Sequence, residues 1–288
     1  MHKIYTMIKR ACIRLIDFVN NIRYKIDFKL VCKSWLYNYK LINFKNCNVL
    51  FLVPHADDDL IGGYGLSKKC KGDFIYGYFG LTGSNKDIDN KKTRDLEFKT
   101  YCNRTDTPFL LIHDVDELIS IVVKKHISQI FLPTIVDWHS EHRLLNYYLY
   151  DALEMLKGND VEIIWYSVSV PICYNDMEIV PLTKQEQSEK YRLFKNVYLS
   201  QKHMPIRRFI YQERINANGT KYYAGESFLR LDRSIWKQVV RYVRNYEKNS
   251  GIVNELNQLS GKINGIKNIR EVSQKIYDKL LDGKDIIV

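Results

Sequence analysis

The most constraining feature of the sequence is the stretch of residues 48–63, which reads NVLFLVPHADDDLIGG. The five apolar residues 49–53 have the length and β-branched content of a buried parallel strand, and a proline ends it. The Leu-Ile-Gly-Gly segment then opens a predicted helix, so His55, Asp57 and Asp58 fall on a strand-to-helix loop. Open α/β sheets bind ligands in the crevice beyond the carboxyl ends of their strands. We therefore expect a ligand site directly after this strand.

Strand-like and helix-like patterns alternate from this point to about residue 170. Predicted strands cover 73–79, 109–112, 129–133 and 161–168, and predicted helices cover 59–70, 89–101, 114–126 and 144–156. Such alternation is typical of a parallel sheet with crossover helices. Farther on the pattern is irregular, with strands at 177–181 and 222–231 and helices at 184–203, 234–246 and 268–281. The expected fold is α/β: a Rossmann-like, doubly wound, mostly parallel sheet with an irregular α+β C-terminal extension.

The positive charge of the chain is concentrated at its N-terminus. Residues 1–45 hold ten Lys or Arg residues against two Asp, a net charge of +8 out of +11 for the whole chain. The rest is close to neutral, which argues against a basic groove for nucleic acid. Residues 3–20 place apolar side chains at helical spacing between basic ones, which fits an amphipathic helix on anionic lipid or a helix packed on its own domain. We expect a basic amphipathic extension over residues 1–46, and both peripheral membrane contact through residues 1–30 and packing on the domain remain open for it.

The six cysteines are scattered and form no C-x-x-C pair. This spacing argues against a zinc finger or a dithiol redox site. Several lie in apolar runs, where a small buried thiol is the usual interpretation. No stretch reaches the roughly 18 apolar residues of a spanning helix, and the first residues lack the apolar core of a signal peptide. We expect a cytoplasmic protein that touches the inner membrane surface at most peripherally.

A second loop complements the first. His55-x-x-Asp58 follows the first predicted strand, and His139-x-x-His142 follows the fourth. Both loops would emerge at the carboxyl edge of the same sheet. Two histidines and one carboxylate with an open fourth position form the ligand set of a catalytic zinc. We predict a hydrolytic metal site in which Asp57 takes a proton from water, while one of His139 and His142 ligates and the other stabilises an oxyanion or protonates a leaving amine.

Other interpretations fit parts of the same pattern. An acidic pocket for Mg²⁺ would use the aspartates alone, and an acidic triplet before a helix can simply cap its N-terminus. A receiver-type phosphoprotein would use Asp57 and Asp58, with Asp114 as phosphate acceptor. However, no lysine follows the fifth predicted strand, and the histidines would then have no role. Metal-dependent hydrolysis accounts for more of the pattern.

Two motifs resemble those of a known enzyme family. Residues 54–59, PHADDD, resemble the PHPDDE signature of the PIG-L/LmbE-like zinc-dependent N-acetyl-sugar deacetylases. Residues 139–142, HSEH, resemble the second motif of that family, HPDH. Further segments that resemble the family are residues 80–83, Arg94 with Glu97, residues 190–201 and residues 223–228. The resemblance covers about residues 47–230.

The resemblance implies an activity and the residues that perform it. Zinc would be held by His55, Asp58 and His142. Asp57 would be the general base, and His139 would stabilise the tetrahedral intermediate or protonate the leaving amine. The substrate would be an N-acetylated amino sugar of the N-acetylglucosamine type, linked to a nucleotide, lipid or glycan, in the biosynthesis of a surface polysaccharide or glycoconjugate. Another amide hydrolase on the same scaffold, or a glycan-binding module without catalysis, is the alternative.

The same resemblance implies that Arg94 and Asp114 contact sugar hydroxyls. The chain departs from the family's signatures at Ala56, at Asp59 and at residues 140–141, none of which is an implied ligand or the implied base. Residues 47–288 would form one LmbE-like deacetylase domain, with a core at about 47–170 and a substrate-shaping part at about 171–288.

Overall fold

The computed structural model describes residues 2–34, 39–43, 47–70, 73–81, 88–156, 160–202, 204–247, 251–258 and 265–282. The helices are α1 (His2–Ser34), α2 (Asp58–Lys69), α3 (Ile88–Thr105), α4 (Val115–Lys124), α5 (Ser140–Met155), α6 (Lys184–Val197), α7 (Ile206–Asn216), α8 (Arg233–Glu247), α9 (Gly251–Gln258) and α10 (Ile266–Leu281). The strands are β1 (Lys40–Leu41), β2 (Val49–Val53), β3 (Phe74–Tyr78), β4 (Phe109–Leu111), β5 (Gln129–Pro133), β6 (Glu162–Tyr166), β7 (Glu178–Leu182) and β8 (Ala224–Leu231). A short 3-10 helix, Leu199–Gln201, follows α6.

All eight of these strands belong to one sheet, in the order β1-β7-β8-β6-β5-β2-β3-β4. The strands from β2 to β6 are parallel to one another, as crossover helices α2 to α5 require. β8 lies between β6 and β7 and is antiparallel to both, and β1 pairs with β7 in parallel. The predicted α/β fold with a mostly parallel sheet is confirmed. The irregular C-terminal part supplies two further strands of this same sheet.

β2 is the strand at which the strand order reverses. It pairs with β3 on one side and with β5 on the other, because the chain builds outward through β3 and β4 before it returns. At such a reversal the two crossover connections leave on opposite faces and open a crevice beyond the carboxyl ends of the strands. The loops after β2 and β5 lead to the predicted metal ligands, and both loops lie at this crevice.

The core fixes the position of the first loop. Leu50 and Leu52 of β2 belong to the apolar cluster on one face of the sheet, and Phe51 and Val53 to the cluster on the other. Burial on both faces is the pattern of a parallel sheet covered by helices. Helix α2 lies close against the sheet because it carries glycine there: a Cβ atom on Gly63 would lie 2.9 Å from the Phe51 ring. The first turn of α2 is therefore held firmly at the end of β2.

Helix α1 is longer than the amphipathic pattern over residues 3–20 predicts, since it continues to Ser34. Its C-terminal half packs on the body: Tyr24 and Val31 are buried against Ile215 of α7 and Ile266 of α10. None of the helices in the described ranges has the length and apolar content needed to cross a bilayer.

The C-terminal part differs in detail from the predicted elements. The predicted helix 184–203 ends as α-helix at Val197, and residue 203 lies outside the described residues. Helices α7 and α9 were not predicted. Of these, α7 matters most, since it packs against β8 and against α1 and reaches the site.

Candidate functional site

The loop after β2 is a tight turn that is held by hydrogen bonds from backbone N–H groups to the carboxylates of Asp58 and Asp59. The backbone N–H of His55 donates to Asp58 Oδ2 at 3.1 Å, and the N–H of Asp57 donates to Asp59 Oδ1 at 2.9 Å. Asp57 has a φ of +119°, a backbone conformation that non-glycine residues rarely adopt. Such strain persists where the surroundings impose it and is concentrated at functional sites. Here the strained residue is the N-cap of α2, which begins at Asp58.

The loop after β5 presents its histidines from a helix N-terminus. His139 is the N-cap residue of α5, and His142 lies in the first turn. The N–H of His139 donates to Asp137 Oδ1 at 2.9 Å, and Arg143 Nη1 donates to the carbonyl oxygen of Asp137 at 2.7 Å. Asp137 thus organises the loop that carries both histidines.

Three atoms from the two loops form a compact triangle. His55 Nδ1 lies 3.1 Å from Asp58 Oδ2 and 3.3 Å from His142 Nε2. The remaining edge, from His142 Nε2 to Asp58 Oδ2, is 3.4 Å. Ligands around a tetrahedral zinc, at about 2.0–2.1 Å from the metal, are separated by about 3.3 Å. Ligand atoms of His55, His139 and His142 also lie within 4.8 Å of one another, but the triangle that includes Asp58 has the closer spacing.

Each imidazole of the triangle has a carboxylate on its other nitrogen. His55 Nε2 shares a hydrogen bond of 2.6 Å with Glu141 Oε2, and His142 Nδ1 lies 3.0 Å from Asp137 Oδ2 in an ion-pair contact. A carboxylate at that position favours the proton on the nearby nitrogen and leaves the lone pair of the opposite nitrogen free for a metal. The donor set therefore fits a metal ion. Asp137 and Glu141 were not given this role from the sequence, although both lie within five residues of His142.

The buried charges of the site strongly influence one another. Burial would lower the pKa of His142, but Asp137 and Asp58 outweigh it and raise that pKa to about 10. Burial would raise the pKa of Asp58, but His142 and His55 hold that pKa below its ordinary value. Burial raises the pKa of Asp57 to about 8, Asp58 adds to the rise, and Arg94 opposes it. Adjacent buried carboxylates stay ionised only when positive charge lies close to them, and a bound metal ion supplies such a charge.

His139 is the neutral histidine of the group. Burial lowers its pKa to about 4, and His142 and His55 add to the effect. Its Nδ1 accepts a hydrogen bond from the N–H of Glu141 at 3.4 Å. In a neutral imidazole the proton then sits on Nε2. His139 can therefore donate a hydrogen bond without carrying a charge.

Arg94 joins Asp57 to a segment that is distant in the sequence. Its Nη2 lies 3.1 Å from Asp57 Oδ1, and with the Gln201 amide oxygen turned toward it, Nε and Nη2 both donate to that oxygen at 2.9 Å. On the next turn of α3, Glu97 accepts from the N–H and Oγ of Ser200 at 2.8 and 2.6 Å. Two segments that separately resemble the deacetylase family thus contact each other directly.

The triangle, Asp57, Arg94 and His139 line one cavity of about 450 Å³, within the size range of small-ligand sites. Its lining residues are His55, Asp57, Asp58, Arg94, Trp138, His139, His142, Val168, Ser169, Ser200, Gln201, Met204, Pro205 and Arg208. Six of the seven predicted site residues are therefore together. Asp114 does not join them: it is exposed and caps α4, accepting from the N–H of Glu117 at 2.8 Å. Residues 82 and 83, from the segment 80–83 that resembles the deacetylase family, lie outside the described residues.

Comparison with known proteins gives matches only among solved structures, since no protein-family model and no curated protein matches the chain. A deacetylase of teicoplanin biosynthesis, in complex with teicoplanin, is 12% identical, with a TM-score of 0.49 over 64% of this chain and 99% of its own. The A40926 pseudoaglycone deacetylase is 11% identical, with a TM-score of 0.49 over 64% and 96%. A conserved protein from Thermus thermophilus is 15% identical, with a TM-score of 0.49 over 64% and 94%.

Proposed function

We propose that the protein is a zinc-dependent hydrolase that removes the acetyl group from an N-acetylated amino sugar. The observation that carries the proposal is the triangle of His55, Asp58 and His142 in the wall of a cavity, with Asp57 beside it. Two imidazoles and one carboxylate at tetrahedral spacing favour zinc over Mg²⁺, which prefers six oxygen ligands. The motif resemblance supplies the reaction, hydrolysis of a linear amide on a sugar.

The side chains divide the reaction between them. A zinc ion held by the triangle would supply Lewis acidity, polarising the amide carbonyl and lowering the pKa of water in the site. Asp57 accepts the proton of the attacking water, and Arg94 keeps that carboxylate oriented. His139 donates from Nε2 to the oxygen that becomes negative in the tetrahedral intermediate. The C–N bond then breaks, the sugar nitrogen takes up the proton that Asp57 received, and acetate and a free amine leave.

The rest of the cavity suits a sugar. Trp138 offers an aromatic surface for the apolar face of a pyranose ring, and Ser169 and Gln201 offer hydrogen-bonding groups for hydroxyls. A glycan-binding module would need the sugar-binding groups but not a strained carboxylate next to three metal-ligand atoms. Catalysis accounts for both parts of the cavity.

Acetate release tests this function directly. We expect the purified protein to release acetate from N-acetylglucosamine conjugates, to lose the activity after chelation, and to regain it when zinc is added back. A panel with N-formyl, N-acetyl and N-propionyl groups separates a deacetylase from another amide hydrolase of the same scaffold. Sugar binding without acetate release by the zinc-loaded protein would contradict the proposal and favour the glycan-binding alternative.

We also propose that α1 rests on an anionic membrane surface, which places the protein in the cytoplasm at the inner leaflet. Seven apolar residues of this helix are each between 46% and 63% exposed. They are Leu15, Ile16, Phe18, Val19, Ile22, Ile26 and Leu30. At 100° per residue they fall on the side opposite Tyr24 and Val31, which face the body. The helix therefore has one apolar face on the protein and a second one in solvent.

The charges around this second face favour lipid as its partner. The exposed basic residues Arg23, Lys25, Lys29 and Lys33 lie within or beside it. Anionic headgroups complement such charges, whereas a second copy of the chain would bring the same cations together. The cysteines agree with a cytoplasmic location, since all six lie in described ranges and none is in a disulfide.

Ile22→Glu should weaken binding to phosphatidylglycerol vesicles by about 10-fold or more, because it replaces a lipid-buried side chain with a charge. Co-sedimentation measures this. Val123→Glu is the matched control, since Val123 of α4 is 47% exposed and Ile22 is 46% exposed. Equal binding of the parent protein to neutral phosphatidylcholine vesicles, or an equal effect of both variants, would contradict the membrane proposal.

A further inference from the structure

Arg208 is a buried arginine in the wall of the candidate catalytic cavity. It lies on the first turn of α7 and is 6% exposed. Its Nε has no hydrogen-bond partner, and within the described stretches the side chain forms no ion pair with a carboxylate. Burial lowers the pKa of Arg208, while Tyr24 of α1 and Asp137 act in the opposite direction. Asp137 is in contact with the two histidines instead: its Oδ1 accepts from the N–H of His139, and its Oδ2 lies 3.0 Å from His142 Nδ1.

An unpaired buried guanidinium is unfavourable for the folded protein. Buried charges are normally paired, because the loss of hydration is offset only by a partner of opposite charge. Among the other buried polar residues of α7, Glu213 binds Lys190 and Asn216 donates to the carbonyl oxygen of Gly225, whereas Gln212 Nε2 also lacks a partner. Gln212 is neutral and does not line the cavity; Arg208 carries a charge and lines the cavity, where a ligand can supply its partner.

Arg94, the other arginine of the cavity, already has hydrogen-bond partners within the protein. Arg94 contacts Asp57 and Gln201, whereas Arg208 stands next to Met204 and Pro205 on the cavity wall without such a contact. A guanidinium presents a planar fork of donors that matches a phosphate or carboxylate. The guanidinium of Arg208 is therefore suited to bind an anionic group of a ligand in the cavity.

We propose that Arg208 binds a negatively charged substituent of the substrate, so that the enzyme selects N-acetylated amino sugars that carry a phosphate or a carboxylate. This inference rests on the proposed deacetylase function, and it adds the charge class of the substrate. Arg208 is a specificity residue in this proposal and not a participant in amide hydrolysis.

The experiment compares kcat/KM for three probes: N-acetylglucosamine 1-phosphate, N-acetylmuramic acid and the neutral methyl N-acetylglucosaminide. We expect the parent protein to prefer one anionic probe over the neutral one by about 10- to 100-fold, the worth of a charge-assisted contact. The anionic probe with the higher kcat/KM shows whether the site prefers a phosphate or a carboxylate. Arg208→Met should bring the ratio close to one, and Arg208→Lys should keep part of it. Arg207→Met, at the exposed neighbouring position on α7, should keep the full ratio.

Two further measurements separate this inference from the function on which it rests. Glucosamine 1-phosphate and glucosamine lack the acetyl group, so calorimetry with them reports binding without turnover. Tighter binding of the phosphate in the parent protein, lost in Arg208→Met, would support the anion site even if no acetate were released from any probe. We also expect Arg208→Met to lower Tm by no more than about 3 °C, because no native ion pair is removed.

Three results would overturn the inference. The first is a parent protein that treats charged and neutral probes alike in turnover and in binding. The second is an equal loss for all probes in Arg208→Met, which would indicate a role in the reaction itself. The third is a large fall of Tm in both Arg208→Met and Arg208→Lys, which would indicate a structural role.

Discussion

Asp57→Asn is expected to lower kcat for acetate release by about 100- to 10,000-fold, the range over which a positioned general base contributes. The substitution removes the proton acceptor and keeps the shape of the side chain. Asparagine also tolerates positive φ better than most residues, so the strained turn at Asp57 should survive. The amide oxygen can still accept from Arg94, which lies 3.1 Å from the present carboxylate. The measurement is steady-state acetate release with zinc-saturated protein.

Measuring the zinc content of each variant shows whether activity falls because the base is gone or because the metal is no longer bound. Asp57→Asn should bind zinc as the parent protein does, whereas His142→Ala should bind it at least about 100-fold more weakly, because outer-shell changes alone reach that size. Asp116→Asn, at an exposed position on α4, is the control for the chemical change and should leave kcat unaltered. If Asp57→Asn releases acetate at the parental rate while it holds zinc, Asp57 is not the base and the mechanism is wrong.

The sheet could be predicted from the sequence because its strands are buried on both faces. β2 and β5 have the predicted bounds, since a fully buried parallel strand is a short unbroken apolar run that ends at a proline or a polar loop. Order within the sheet follows less directly. The antiparallel placement of β8 between β6 and β7 depends on long-range pairing, which local pattern does not encode.

The site could be predicted in part, because its two motifs directly follow strands that are recognisable in the sequence. In a parallel sheet both loop motifs lie at the same edge, beyond the carboxyl ends of the strands. They meet because β2 and β5 are neighbours in the observed strand order. The roles of Asp137 and Glu141 could not be read in the same way, because a carboxylate behind a histidine is defined by side-chain direction and not by spacing. Substrate contact by Asp114 stays a prediction; in this structure its carboxylate caps α4.

Helix α7 was missed because most of its buried residues are polar. Phe209 and Ile215 are its only buried apolar side chains, beside four buried polar ones, so the apolar periodicity that normally reveals a helix is weak. The four are Arg208, Gln212, Glu213 and Asn216. Buried polar side chains are stable only where other polar groups bind them. In α7, Arg208 lines the candidate cavity, and Glu213 binds Lys190 in a buried network.

Lys190→Met is expected to lower the free energy of unfolding by about 3–5 kcal/mol, as the loss of one partner of a buried ion pair does. Lys190 is fully buried, and its Nζ donates to Glu213 at 2.6 Å, to Glu226 at 2.7 Å and to the carbonyl oxygen of Ile61 at 2.6 Å. Glu226 also accepts from the N–H of Gly65, so the network ties α2, α6, α7 and β8 together. Methionine fills a similar volume, and the loss therefore reports the uncompensated carboxylates. Urea unfolding followed by circular dichroism measures it.

The pH dependence identifies the cause of this loss. Burial raises the pKa of Glu226 and Lys190 opposes that rise, so without Lys190 the folded-state pKa should move farther above the unfolded value. Such a carboxyl takes up a proton on folding, and stability falls as pH rises through the folded-state pKa. The deficit of Lys190→Met should therefore shrink from about pH 8 to about pH 5. Lys195→Met, exposed on the same helix, should change stability by no more than about 0.5 kcal/mol at either pH. A deficit that does not depend on pH would point to packing, and not to the buried carboxylates, as what Lys190 stabilises.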